Sequence, residues 1–196
     1  MNNENKTKKL VLIALFSSIA AVLMFLDFSV PLAPSFVKFD LSELPVILGG
    51  YLLGPTSGIA IIILKLAIKL ILKPSSTMMI GELSNFIASL TYMLPAVLYY
   101  RRNKTLKGAI ISLALGTLIS SIVVTVADYF VIFPLYAKLF MPMEAIIKAG
   151  NTINKNIDSL LSLMLISILP FNILKYSITS ILTILLYKKL KNIFKL

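Results

Sequence analysis

Cysteine, histidine and tryptophan are absent from the 196 residues, and only eight side chains are acidic. Without thiolate or imidazole, haem ligation, most transition-metal sites, Cys nucleophiles and His general bases are excluded. No Gly-x-x-x-x-Gly-Lys-Ser/Thr pattern occurs, so the chain has no P-loop to hydrolyse ATP. The eight acids are scattered, with no Asp-Asp-x-x-Asp cluster for a metal and no His for a Ser dyad, which argues against a membrane enzyme acting on lipid by paired acid and base. Charged residues as a whole make up only 14% of the chain, against 58% apolar. A soluble domain carries about 25% charged residues, so the composition, with mean hydropathy +0.94, belongs in a bilayer. At about 20 residues per spanning helix, the length leaves no room for a soluble domain beside the membrane bundle.

What is present divides into six apolar segments. Lys6, Lys8 and Lys9 precede the first, residues 10–26; the run is long and no small-residue cleavage site follows, so it reads as an uncleaved first helix and not a signal peptide. Residues 28–40 form a loop punctuated by Pro31 and Pro34 with apolar residues threaded through it, and such a loop at a membrane edge is expected to pack on something. Two shorter pieces, 41–53 and 57–72, are divided by Gly54-Pro55. The first spans about 20 Å against a hydrocarbon core of about 30 Å, and short Gly/Pro-interrupted segments point toward binding sites in transporters. Segments four and five run over about 78–100 and 108–136. Residues 137–158 read as a long loop with an amphipathic piece, and segment six, 159–187, is long enough to tilt or protrude. No internal repeat or linker divides the chain, so a single domain over residues 1–196 is expected, all-α and built as an integral membrane bundle of six transmembrane helices.

The net charge of +11 would suggest nucleic acid in a soluble protein. Threading six spans with the N-terminus inside puts Lys6, Lys8, Lys9, Arg101, Arg102, Lys104, Lys107, Lys188, Lys189, Lys191 and Lys195 on one side, eleven of the nineteen basic residues, with Glu4 the one acid among them. The outer loops are near neutral, with Lys38, Lys73, Lys138, Lys148 and Lys155 against Asp40, Glu43, Glu144 and Asp158. The positive-inside rule then places both termini in the cytoplasm, and the basic balance reads as topology rather than as a nucleic-acid footprint. Tyr99, Tyr100 and Tyr187 at inner ends and Tyr129 and Tyr136 at outer ends fit interfacial belts.

Within or beside the apolar segments stand Asp27, Lys65, Lys69, Glu82, Asp128 and Lys175. An ionisable side chain at a helix centre costs about 2.5–3.5 kcal/mol on insertion scales, so each requires a partner or a wet cavity. Helical spacing puts Glu82, Asn85 and Ser89 on one face of segment four, Thr117, Ser121, Thr125 and Asp128 on one face of segment five, and Asn172, Lys175 and Thr179 on one face of segment six. Such stripes either glue helices together or line a ligand site, and the richness of the outer ends under the Pro-rich loop favours a site there. Lys65, Lys69 and Lys73 form a stripe on segment three, for which ion pairing of Lys65 with Asp128 or Glu82 and snorkelling of Lys73 are expected; a phosphate or carboxylate ligand is the alternative. On segment one Ala14, Ser17, Ser18 and Ala21 line one side with small residues, which permits close helix approach either within the bundle or to an external partner.

Several elements together carry a family resemblance: Phe39-Asp40-Leu41-Ser42-Glu43-Leu44-Pro45 opening segment two, Gly54-Pro55 ending it, Gly81-Glu82-Leu83-Ser84-Asn85-Phe86 in segment four, Asp128-Tyr129-Phe130 with Pro134 in segment five, and Pro170-Phe171-Asn172-Ile173-Leu174-Lys175 in segment six. Over nearly its whole length the chain resembles the substrate-binding S-components of energy-coupling factor (ECF) vitamin transporters, and most closely the riboflavin-specific ones. The resemblance implies a binding subunit in the cell membrane, not an enzyme, that captures riboflavin from outside as a transported ligand and not as a cofactor. It implies a pocket built by the loop between helices one and two and the outer ends of helices four, five and six, with Phe36, Phe39, Asp40, Met78, Glu82, Asn85, Asp128, Tyr129, Asn172 and Lys175 as the binding residues. It further implies partners, a transmembrane coupling subunit and two cytoplasmic ATPases, with Ala14, Ser18 and Ala21 docking on the coupling subunit. One departure is visible: the family pattern leads one to expect Asn-Tyr where this chain has Asp128-Tyr129, an acceptor-only carboxylate in place of an amide. An S-component for a different vitamin and an ion-coupled secondary transporter are the competing readings.

Overall fold

The computed structural model describes the backbone of residues 3–194 and the side chains of residues 6–187. Glu4, Lys188, Lys189, Lys191 and Lys195, counted above on the cytoplasmic side, lie outside the described side chains. Helix α1 (Asn3–Phe25) leads into a minimal antiparallel hairpin, β1 (Phe28–Ser29) with β2 (Lys38–Phe39), in which Phe28 faces Phe39 and Ser29 faces Lys38. The Pro-rich loop that the hairpin ties off is packed down as expected: Ser167 donates to the Leu32 carbonyl at 2.7 Å, and Ala33 and Phe39 form a small core with Phe171.

Helix α2 (Glu43–Leu53) is only 11 residues long, yet it sits against α1, α3 (Pro55–Leu72), α4 (Ile80–Arg102) and α9 (Leu169–Phe194). Apolar on every side, it is the central rod, as a helix with no polar face must be. Gly54 separates it from α3 at φ +95°, a conformation open to glycine and strained for other residues, and Pro55 then starts α3 at its first turn, where its missing N–H is not needed. Thr105 caps α5 (Leu106–Ala127) by accepting from Gly108 N at 2.9 Å, and Ser159 with Ser162 forms a capping box at α8 (Leu160–Leu163).

Segments five and six each contain a wide π-turn. Asp128–Ile132 joins α5 to α6 (Phe133–Leu139), and Met164–Ile168 joins α8 to α9. Each ends two residues before a proline, Pro134 or Pro170. A proline ring clashes with the carbonyl four residues back and cannot donate to it, so widening the turn removes both conflicts while the rod continues. Short α7 (Met143–Asn151) is the amphipathic piece, with Ile146 buried against Ile157 and Leu163 and Glu144 and Lys148 exposed. Among the described residues, four helices are long and apolar enough to cross a membrane: Lys6–Phe25, Pro55–Leu72, Leu106–Leu139 and Leu160–Tyr187.

Two expectations change. Tyr100 and Tyr187 do not face the interface; they are buried and share a 2.6 Å hydrogen bond beside Tyr51. Asp40 and Glu43, counted as outer-loop charges, are buried as well, because the loop folds inward over the start of α2.

The α4–α5 seam depends on Gly116: a Cβ there would stand 2.8 Å from the Tyr92 carbonyl oxygen and 3.2 Å from Ala96 Cβ. Because backbone on the facing helix cannot yield as a side chain can, Gly116→Ala is expected to destabilise the bundle by about 1–3 kcal/mol, read as a lower unfolding temperature in detergent.

Candidate functional site

The short α2 leaves the bundle unfilled at the end where it starts, and a cavity of about 550 Å³ occupies that space. The hairpin loop contributes Phe36 and Asp40, the first turns of α4 contribute Glu82 and Asn85, the π-turn after α5 contributes Asp128, and the first turns of α9 contribute Asn172 and Lys175.

Each polar group is held by a second one. Lys175 Nζ donates to Asp40 Oδ2 at 2.8 Å, and Asp40 Oδ1 accepts from Ser42 N at 2.8 Å. Burial pushes the Asp40 carboxyl up, but the Lys175 ammonium, with Lys65 behind it, outweighs this and holds it below the usual carboxylate range. Asn172 Nδ2 donates to Thr125 Oγ1 at 3.3 Å and Asn85 Nδ2 to the Gly81 carbonyl at 2.9 Å, so each amide keeps its carbonyl oxygen and its second N–H for a ligand. Glu82 is ion-paired with Lys69 and accepts from Ser75 Oγ at 2.7 Å. Asp128 differs: a single long hydrogen bond from Ser84 Oγ, 3.4 Å, is its contact, and among the described residues no cation pairs with it.

Aromatic faces supply the walls. Phe36 stacks on Tyr136 at 5.8 Å between ring centroids, Phe171 lines the α9 side, and Tyr176, stacked on Tyr92 at 4.9 Å, closes the floor. A cavity with aromatic walls and with amide, ammonium and carboxylate groups around them is suited to a planar heteroaromatic ligand with a polar rim.

Of the expected binding residues, the fold brings Phe36, Asp40, Glu82, Asn85, Asp128, Asn172 and Lys175 to one cavity. Three are placed elsewhere. Phe39 is buried behind the wall, edge-on to Phe171. Tyr129 turns away from the cavity, half-buried against the cluster around Ile146 and edge-on to Phe130, because the π-turn rotates it off the polar face. Met78, 65% exposed, lines a separate lateral groove together with Met79; both have positive φ, which swings them outside. Phe171, Tyr176, Phe133 and Tyr136 are lining residues that sequence reasoning missed. The first two flank the Asn172/Lys175 pair in the chain, and that adjacency was the available signal.

The polar stripes divide along their length: the members nearest the hairpin loop line the cavity and the members farther from it hold helices together. Ser89, two turns below Glu82, donates to Glu43 Oε1 at 2.6 Å, and Thr117 shares a hydrogen bond with Ser180 at 3.1 Å. Lys65 pairs with Glu43 at 2.7 Å and not with Asp128 or Glu82, and it also donates to Ser42 Oγ at 3.1 Å. The short α2 sets its carboxylate directly against α3, nearer than either expected acid. On α1, Ala14 and Ser18 are exposed while Ala21 is 1% exposed and faces the bundle; the outward face continues through Val22, since every fourth residue keeps to one side.

The family model for the ECF transporter, substrate-specific component, matches residues 8–187. The chain is 31% identical over 194 residues to the riboflavin transporter RibU of Staphylococcus aureus (strain TCH60), covering 98% of this chain and 95% of that protein. It is 33% identical over 187 residues to the riboflavin transporter FmnP of Bacillus subtilis (strain 168), covering 95% and 93%. The structure of the S component of a bacterial ECF transporter superposes with a TM-score of 0.76 at 30% identity, covering 97% of this chain and 99% of that one.

The Lys65–Glu43 pair is buried to 0% and 1% exposure. Removing one member leaves an uncompensated buried charge, so Lys65→Met is expected to lose about 3–5 kcal/mol of stability, and the double change Lys65→Met with Glu43→Leu to recover most of it. Thermal unfolding of the three proteins in detergent measures this; a double variant no more stable than the single one would refute the pairing.

Proposed function

Because the chain belongs to the substrate-specific components of ECF transporters, we propose that it is the riboflavin-binding S-component of such an importer, with the vitamin held in the cavity under the hairpin loop. It is a membrane protein and a binding subunit, not an enzyme. The observation that carries the choice of ligand is the cavity's rim: two Asn amides and a Lys–Asp pair around an aromatic slot whose volume falls within the about 300–1,000 Å³ of small-molecule sites.

The pyrimidine edge of an isoalloxazine alternates carbonyl acceptors with one N–H donor. An Asn amide matches that alternation from either side. Asn172 and Lys175 face the ring carbonyls, Lys175 keeping Asp40 as its counter-ion, and Asn85, Glu82 and Asp128 receive the N–H or the ribityl hydroxyls. Phe36, Phe171 and Tyr176 take the ring faces. A ligand that leaves these groups unpaired forfeits about 1–3 kcal/mol for each, which is the source of selectivity.

The chain acts as one domain over residues 1–196, with six spans, the cavity toward the outside of the plasma membrane and both termini in the cytoplasm, as the distribution of lysine and arginine supports. With no P-loop of its own, it draws on two cytoplasmic ATPases through a transmembrane coupling subunit. The exposed Ala14–Ser18 face of α1 is the close-approach surface for that subunit.

The full-length protein is expected to purify yellow and to quench flavin fluorescence; a colourless preparation that does not take up added riboflavin would overturn the ligand assignment. Asn172→Ala and Lys175→Ala should each weaken riboflavin binding by about 1–3 kcal/mol, about 5- to 150-fold in Kd, and wild-type affinity in both would refute the site. The absence of cysteine makes topology easy to test. In intact cells Ser35→Cys should react with an impermeant thiol reagent and Asn103→Cys only after permeabilisation.

A further inference from the structure

A second hollow, separate from the ligand cavity, runs along the outside of the bundle between α3, α4 and α6. Its volume is about 600 Å³ and its walls are apolar: Leu66 and Leu70 of α3, Leu83 and Phe86 of α4, and Leu135 and Leu139 of α6. Leu83, Leu135 and Leu139 are exposed, so the groove opens to whatever surrounds the protein, which for a membrane chain is lipid. From Ile63 to Leu70 it extends about 10 Å along α3, comparable with the about 15 Å half-thickness of the hydrocarbon layer. It thus covers about two thirds of the length of one acyl tail in the leaflet on the cavity side.

The chemistry at its open end is cationic. Lys138 lies between Leu135 and Leu139 on α6, is exposed, and among the described residues is not ion-paired; Lys73, just past the end of α3, lines the ligand cavity instead. Glu82, the one acid lining the groove, is buried and neutralised by Lys69. Met78 and Met79, exposed and at positive φ, form an adaptable rim of the groove.

We propose that this groove is a binding site for a single anionic phospholipid, one acyl tail lying between α3, α4 and α6 and the phosphate held by Lys138. Within a bilayer an acyl tail gains no hydrophobic free energy from leaving other tails. Residence therefore rests on filling a groove that would otherwise lack contacts on one side and on the Lys138 ammonium group. A symmetric dimer through the same face would bring two lysine-bearing rims together, so charge favours lipid over a second copy. Ile80 and Glu82 line both hollows, so the lipid packs against the wall of the ligand cavity.

Native mass spectrometry of the delipidated full chain in detergent, titrated with dioleoylphosphatidylglycerol or dioleoylphosphatidylcholine, tests this. One phosphatidylglycerol per chain is expected at concentrations where phosphatidylcholine is not retained. Lys138→Gln should reduce that preference about fivefold, the increment for one lysine near an anionic headgroup, with phosphatidylcholine retention unchanged. Ala67→Phe and Leu135→Trp, which fill the groove from different helices, should each abolish the single-lipid species, and monodisperse elution with a wild-type unfolding temperature in either one shows that the loss is local. Equal retention of the two lipids by the wild type, or a retained lipid in the folded groove-filled variant, would overturn the proposal. So would a dimer of this chain that the groove-filling variants disperse, which would assign the face to a second copy.

Discussion

Charge held in an apolar medium must be neutralised on the spot, and this requirement organises the molecule. Among the described residues three lysine–carboxylate pairs meet it: Glu43 with Lys65 joins α2 to α3, Glu82 with Lys69 joins α3 to α4, and Asp40 with Lys175 joins the hairpin loop to α9. They are not independent. Ser42 donates its backbone N–H to Asp40 and accepts from Lys65 with its hydroxyl, so the cavity's ammonium group connects through one short polar chain to the deepest pair. Outside water each link is worth more made and costs more broken, which fixes the start of α2 against three other elements.

The cavity follows from this anchoring. Helix α2 is held at the centre yet is too short to fill the bundle from end to end, and the space it leaves is roofed by the hairpin loop and floored by the Tyr176–Tyr92 stack. Prolines complete the arrangement. Pro134 and Pro170 each follow a widened turn, and those turns lie at the cavity end of their rods, next to Asp128 and to Phe171 and Asn172. Irregular helix is tolerated at membrane depth where it lines a cavity. The wide turns coincide with the places where side chains must be aimed at a ligand and not at a neighbouring helix.

Much of the site was legible because polar residues in an apolar helix are conspicuous and their spacing assigns a face. Glu82, Asn85, Asp128, Asn172 and Lys175 reach one cavity for that reason. Periodicity failed where the backbone departed from a regular helix: Tyr129 lies in the π-turn, and Met78 and Met79 sit at positive φ, so none of them points where a straight helix or an ordinary loop would send it. Aromatic wall residues were hidden for another reason. Phe171 and Tyr176 look like any apolar residue in a membrane segment, and only the neighbours that come to face them make them lining.

Composition was enough to establish a membrane protein built of apolar helices, because transfer to lipid is additive over residues and each span is read locally. Pairing was not local. That Lys65 chooses Glu43 over Asp128, that Ala21 turns inward while Ala14 and Ser18 stay outside, and that among the described residues Asp128 is the buried acid without a cation depend on which helices become neighbours and at what rotation. Those relations are set by the packing of α2 between α1, α3, α4 and α9, and no stretch of sequence contains them.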